Sequence, residues 1–304
     1  MYNIKAVKRS SFLFVLVNPT KKRSVEPMPK ASQRACQRLL RSGLAAIMVL
    51  SLVLLTACSR EPGSRIIIAG STSVQPYAEV LAEAYYKTHP DVIIDIQGGG
   101  SSAGIIAVEN HTAEIGMSSR LLEESEQGLF VIEIAIDGLA IIVHPDNPVG
   151  GLSLQQLRDI YSQSIDNWSQ VGGHDAQIHI ISREDGSGTR SAFESQVMDG
   201  VNISPRAIIQ DSNGAVHQLV ANDRNAIGFI SLGLVEIGEQ PVKTLMLDGV
   251  VPSYDSIIDG TYNLARPFLF LVNGKPEGAV LDFLDFVQSE EGQRILRAEG
   301  LVVG

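Results

Sequence analysis

Short apolar runs alternate with amphipathic stretches along most of the chain. Ile66-Ile67-Ile68-Ala69 has the length of a buried strand, and Val74, Tyr77, Val80, Leu81, Ala84 and Tyr85 follow at helical spacing. Pro76 is tolerated only in a first turn, which places the helix start near Ser73. Val92 to Ile96 predicts a second strand, with a helix beginning at Ile105 to Val108, and Ala113 to Met117 a short third strand. Val131 to Val143 is apolar except for Glu133, Asp137 and Gly138. It reads as two strands or as one strand that crosses between lobes.

Pro145 and Pro148 mark a boundary after that run. Ser153 to Gln156 has the spacing of a capping box, and Leu154, Leu157, Ile160 and Tyr161 give the helix an apolar face. The sole tryptophan, Trp168, reads as a packing anchor in a polar loop. Strands are predicted at Ile178 to Ile181, Ile208-Ile209, Ile227 to Ile230, Thr244 to Leu247 and Phe268 to Val272. Helices are predicted around Ala192, Phe193 and Val197, around Val216, Leu219 and Val220, and over Leu281 to Val287 and Ile295-Leu296. Strands and helices alternate throughout, so the class is α/β with mostly parallel sheets flanked by helices.

The first 57 residues differ from the rest, with ten basic residues and one acid, Glu26. An apolar run, Leu44 to Leu55, is too short to span a bilayer comfortably and ends in Leu55-Thr56-Ala57-Cys58. This is the layout of a secretory signal, and a Cys after Leu-Thr-Ala resembles the bacterial lipobox, in which the Cys takes lipid. The long basic stretch leaves Met1 and Met28 both open as starts. Removing ten of 24 basic and one of 34 acidic residues leaves 14 and 33, a formal net charge of −19 for the mature chain. Strong acidity argues against a nucleic-acid partner. An anion would have to be held by local hydrogen bonds and dipoles, because the global field repels it. Cys36 lies in the signal, so Cys58 is the one mature cysteine and no internal disulfide is possible.

Three Gly/hydroxyl loops each join a predicted strand to a predicted helix: Gly70-Ser71-Thr72-Ser73, Gly98 to Gly104, and Arg183 to Arg190. Glycine lets backbone approach a ligand, first-turn N–H groups lack helix partners, and Ser, Thr and Arg add donors. Together these features make an anion site. Each loop alone can equally be a polar turn whose hydroxyl caps the next helix. Gly98 to Ala103 also fits G-x-G-x-x-A, a weak dinucleotide signal and a poor match to an exported protein. The six histidines show no metal-ligand spacing, Asp185-Gly186 lacks the partner acids of a Ca²⁺ loop, and no Ser stands in G-x-S-x-G. No metal or cofactor is therefore expected.

The ordered loops, with Ile115 to Arg120 between them and a lipobox before them, resemble the phosphate-binding protein of the bacterial phosphate ABC transporter, the PstS-like family. The likeness extends to Leu152 to Trp168, to Phe286 to Ser289 and to Glu291 to Gln293. It implies a two-lobe periplasmic-binding-protein fold of the two-crossover type. Residues 1–57 would be the lipoprotein signal and 58–63 a tether. Residues 64–143 plus 243–304 would form lobe 1, and 144–242 lobe 2. The family's phosphate ligands fall on Thr72, Ser73, Ser101, Ser119, Arg183, Ser187, Gly188 and Thr189. The resemblance further implies an exported, lipid-anchored monomer without catalysis. It would bind inorganic phosphate in a dry cleft and deliver it to a membrane permease.

Some family members carry aspartate where Ser119 stands, to accept the proton that phosphate keeps at neutral pH. Its absence here leaves sulfate, molybdate or tungstate open as ligands, unless another acid, Asp137 or Asp185, enters the cleft. A secreted phosphoryl-transfer enzyme would need a metal or a nucleophile–base pair, and the sequence offers neither. A signalling or adhesion lipoprotein on the same fold would lack an adjacent permease.

Overall fold

The computed structural model describes residues 64–236 and 240–304. The signal, Cys58 and the tether lie outside the described residues. Among the described residues no helix is long and apolar enough to cross a membrane.

The elements follow the predicted alternation. β1 (Arg65–Gly70), α1 (Gln75–Tyr86), β2 (Ile93–Gly98), α2 (Ser101–Glu109) and β3 (Ile115–Ser118) open the chain. β4 (Leu129–Val143) is one strand of 15 residues, which settles the open reading of that apolar run. β5 (Gly151–Leu152), α3 (Leu154–Tyr161), β6 (His179–Arg183), α4 (Gly188–Phe193), β7 (Ile208–Gln210), α5 (Asn213–Asn222) and β8 (Ala226–Ser231) follow. β9 (Lys243–Thr244), β10 (Met246–Leu247), α6 (Tyr254–Ile258), β11 (Ala265–Asn273), α7 (Gly278–Gln288) and α8 (Glu290–Ala298) close it. The expected capping box is present: Ser153 accepts from the Gln156 N–H, and the Gln156 side chain accepts from the Ser153 N–H.

One sheet runs through the molecule in the order β2-β1-β3-β11-β4-β8-β6-β7, with β9 also on β4. Its flanks are parallel: β1 with β2 and β3, and β6 with β7 and β8. Its middle is antiparallel, because β4 carries the chain across and β11 brings it back. β4 pairs with β11 up to Gly138 and with β8 from Leu139 onward, so the strand changes partner between those two residues.

Two cores form on either side of that point. Ile66, Ile68, Leu81, Ile115, Phe268, Phe270 and Phe283 pack in the first. Beyond Gly138 the strand is buried on both faces. Leu139, Ile141 and Val143 point to one apolar cluster and Ala140 and Ile142 to another, the period-2 alternation of a fully covered strand. Trp168 is buried in the second core, and its indole N–H donates to the Asn225 carbonyl at 2.9 Å. Residues 243–264 differ from the expected boundary at 243. Leu245, Leu247, Tyr262 and Leu264 pack in the second core, and β9 and β10 pair with β4 and β5. The apolar side chains that would have returned to the first core are already covered by the second, so the return begins at Ala265.

Candidate functional site

The Gly/hydroxyl loops meet across the two halves. Oγ of Ser73, after β1, lies 2.9 Å from Oγ1 of Thr189 at the start of α4. The Ser102 N–H donates to the Gly186 carbonyl at 3.1 Å. A Cβ on Gly188 would sit 2.3 Å from Oγ of Ser101 and 2.5 Å from Oγ of Ser119, so only glycine allows this approach. Gly70, at φ +136°, holds the first loop where a Cβ would strike the Met117 carbonyl at 2.3 Å.

The capping alternative divides between the loops. α1 and α2 have no side-chain cap, so the hydroxyls of the first two loops face other partners. Ser187 does cap α4, accepting from the Arg190 N–H at 3.2 Å.

A hydroxyl has one proton and two lone pairs, which fixes the polarity of the network. Ser73 Oγ accepts from Nδ2 of Asn213 at 2.9 Å and from Nη2 of Arg266 at 3.0 Å, so its proton goes to Thr189. Thr72 Oγ1 accepts from Asn213 at 3.2 Å and from Nη2 of Arg183 at 3.3 Å. Ser119 Oγ accepts from Ser71 Oγ at 2.8 Å, and Ser101 Oγ accepts from the Ser119 N–H at 3.1 Å. The lone pairs of Thr72 are thus filled from within the protein. Thr72, Ser187 and Thr189 keep an O–H free to donate, while Ser101 Oγ and Ser119 Oγ lie 3.4 Å apart and share a hydrogen bond that takes the proton of one of them.

Two buried guanidinium groups stand in this network, 1 % and 3 % exposed for Arg183 and Arg266. Arg183 grips Glu184 with Nε at 3.0 Å and Nη2 at 2.8 Å, and Nη2 also reaches the Asp211 carbonyl at 3.1 Å. Arg266 grips Asp137 with Nε at 3.2 Å and Nη2 at 3.0 Å. Nη1 of each is buried with no hydrogen-bond partner. A buried donor on a charged group without a partner costs about 1–3 kcal/mol or more. The arrangement can therefore do one thing well, which is to surround an oxygen-rich anion with donors.

A PBP superfamily domain model matches residues 57–291. The chain is 32 % identical over 231 residues to the phosphate-binding protein PstS of Bacillus subtilis, covering 75 % of this chain and 76 % of that one. The chain belongs to the PstS-like phosphate-binding family of the PBP superfamily. Borreliella burgdorferi PstS is 30 % identical over 275 residues, covering 86 % of this chain and 99 % of the relative. Among solved structures, a candidate substrate-binding protein of a phosphate ABC transporter from Clostridium perfringens, with bound phosphate, matches at 41 % identity and TM-score 0.76. It covers 79 % of this chain and 100 % of that one. An ABC-type phosphate transport receptor from Vibrio cholerae matches at 39 % identity and TM-score 0.66, with coverage of 79 % and 100 %.

In this PstS-like chain, hydrogen bonds and close approaches join Thr72, Ser73, Ser101, Ser119, Arg183, Gly188 and Thr189 into one cluster; Ser187 is buried beside them with its lone pair on α4. The two acids considered as proton acceptors are otherwise engaged. Asp137 is buried, with Oδ2 on Arg266 and Oδ1 accepting from Ser231 Oγ at 2.8 Å. Burial pushes its carboxyl upward and the Arg266 charge opposes that push. Asp185 is 92 % exposed and pairs with Arg190. Sequence reasoning missed Ser71, Asn213 and Arg266. For Arg266 a signal exists: a lone charge inside the apolar run Leu264 to Val272. Asn213 gives none, since Ser212 before it, the N-cap of α5, looks like any other cap.

Proposed function

We propose that this chain captures inorganic phosphate between two lobes and passes it to an ABC permease, without catalysing a reaction. The two lobes are the halves of the sheet on either side of Gly138, and β4 and β11 are the two crossovers. The observation that carries this reading is the set of donors gathered from both halves: free hydroxyls of Thr72, Ser187 and Thr189 and two buried, unpartnered guanidinium nitrogens. A relative at 41 % identity, solved with phosphate, supports it. Thr72, Ser73 and Ser101 come from one half and Arg183, Ser187, Gly188 and Thr189 from the other, so an anion that touches both favours the closed form. Ser119 completes the first set. The protein acts as an exported monomer, with Cys58 as its lipid anchor. Cys58→Ala releases it from the membrane fraction; unchanged retention assigns the anchor elsewhere.

Calorimetric titration of the dialysed mature chain with phosphate, sulfate and molybdate tests the main reading. Tight phosphate binding supports it, and no heat with any of the three ends it. A wider oxyanion specificity has one observation in its favour. Ser119 is an uncharged hydroxyl that can turn to donate as well as accept, so it does not penalise sulfate as a carboxylate would.

A further inference from the structure

Arg266 and Asp137 are direct cross-strand partners in the β11–β4 ladder, one residue before β4 changes partner. The pair thus sits where the chain passes between the two halves. Its side chains are 2 % and 1 % exposed. Burying an ion pair is a poor way to stabilise a strand crossing, because well-packed apolar residues of similar volume do as well or better. The pair also leaves a charged donor unsatisfied: Nη1 of Arg266 is buried and partnerless while Nε and Nη2 hold the carboxylate. The guanidinium lies 5.6 Å over the Phe268 ring, which fixes its plane without using the Nη1 hydrogens.

Arg183 repeats this design. Its Nε and Nη2 hold Glu184, and its Nη1 is buried and free. A chain of hydrogen bonds joins the two: Arg183 to Thr72, Thr72 to Asn213, Asn213 to Ser73, and Ser73 to Arg266. The groups are close enough that the Arg183 charge adds to the burial that lowers the Arg266 pKa. Like charges this near are held together at a cost that a shared counter-ion removes.

We infer that Arg266 is a second guanidinium ligand for the tetrahedral oxyanion, presented from the crossover strand and oriented by Asp137. Asp137 is its positioning residue, not a proton acceptor for the ligand. The inference rests on the oxyanion-capture reading above. Each guanidinium is oriented by its own carboxylate, so the pair offers two charge-assisted donors in fixed planes. That pattern suits an anion bearing charge on two oxygens, such as hydrogen phosphate or sulfate.

The decisive measurement is a crystal structure of the wild-type mature chain with inorganic phosphate. An anion oxygen about 3 Å from Nη1 of Arg266 is expected. An anion held by Arg183 alone, with no oxygen in reach of Arg266, overturns the inference while leaving phosphate capture intact. Solution titrations give an independent check. Arg266→Lys keeps a cation beside Asp137, and the Arg266→Gln/Asp137→Asn double variant keeps the local net charge. Either one, if its thermal midpoint matches wild type, is expected to lose phosphate affinity at least about thirtyfold. A merely structural role lowers the midpoint and leaves affinity within about threefold, an outcome that also overturns it. If wild type binds neither phosphate nor sulfate, this inference and the capture reading fall together.

Discussion

Arg183 and Arg266 are alike in burial, in their carboxylate clamps and in their free Nη1, yet their carboxylates live in different surroundings. Glu184 is the next residue in sequence and its side chain is 30 % exposed. Asp137 is 129 residues from Arg266, and its side chain is 1 % exposed. Water can solvate Glu184 when its partner is lost, and nothing solvates Asp137. The same pairing therefore divides its consequences: loss of Arg183 leaves a carboxylate that water can reach, and loss of Arg266 leaves one that it cannot.

The largest expected effect comes from breaking the buried pair. Asp137→Ala leaves the Arg266 charge uncompensated and costs about 3–5 kcal/mol of stability. Saturating phosphate restores part of this loss, because the anion replaces the missing charge, and the phosphate-induced rise in thermal midpoint exceeds that of wild type. An equal or smaller rise argues that no anion reaches Arg266. Arg183→Ala, by contrast, keeps a midpoint close to wild type and loses phosphate affinity at least about a hundredfold. An affinity within about threefold of wild type places Arg183 outside the site.

Ser119→Asp sharpens the comparison by adding a carboxylate that no arginine holds. It is expected to widen the preference for phosphate over sulfate by about tenfold, chiefly through weaker sulfate binding, in paired titrations at neutral pH. Loss of phosphate binding with no change for sulfate excludes Ser119 as the proton-reading position. The smallest effect belongs to a third clamp at the edge of the network, Arg120 on Glu126 at 2.6 and 2.7 Å, with Nη2 also donating to Ser102 Oγ at 3.1 Å. The Arg120 hydrogen bond holds the Glu126 carboxyl below its ordinary value. Its stabilisation is present above that ordinary range and is lost as pH falls through the lowered value. Glu126→Gln is therefore about 1 kcal/mol less stable at neutral pH and converges with wild type in acid. A gap that persists in acid assigns the loss to packing.

This difference between clamps also explains what the sequence disclosed. Arg183, Ser187, Gly188 and Thr189 lie in one loop between a legible strand and a legible helix, so their cooperation is a local fact. Ser73 and Ser101 were legible because each follows its own apolar run. Arg266 was not, because its partner is fixed by the β11–β4 register, which depends on where the chain turns back, and a hydrophobic pattern does not encode that. The packing of Leu245 and Leu247 against the second core was hidden for the same reason. A short strand at Thr244 to Leu247 reads identically whichever core covers it. Conversely, the run Val131 to Val143, broken by Glu133, Asp137 and Gly138, left one strand or two open; only its unbroken part beyond Gly138 is buried on both faces.

The register that brings Asp137 opposite Arg266 also sets the order of assembly. β3 and β4 are neighbours in sequence but not in the sheet, since β11 lies between them. Val302 then bridges to Ile136 by two backbone hydrogen bonds of 2.7 and 3.1 Å. The first half therefore cannot close its core when its own strands leave the ribosome; it waits until residues up to about Val302 have followed. Pairings of such long sequence separation form slowly, because the loop-closure entropy is lost before the contacts return it. The second half is more nearly continuous, so it can fold first and template the other. The first half thus keeps an unfinished sheet edge until β11 and Val302 have arrived to cover it.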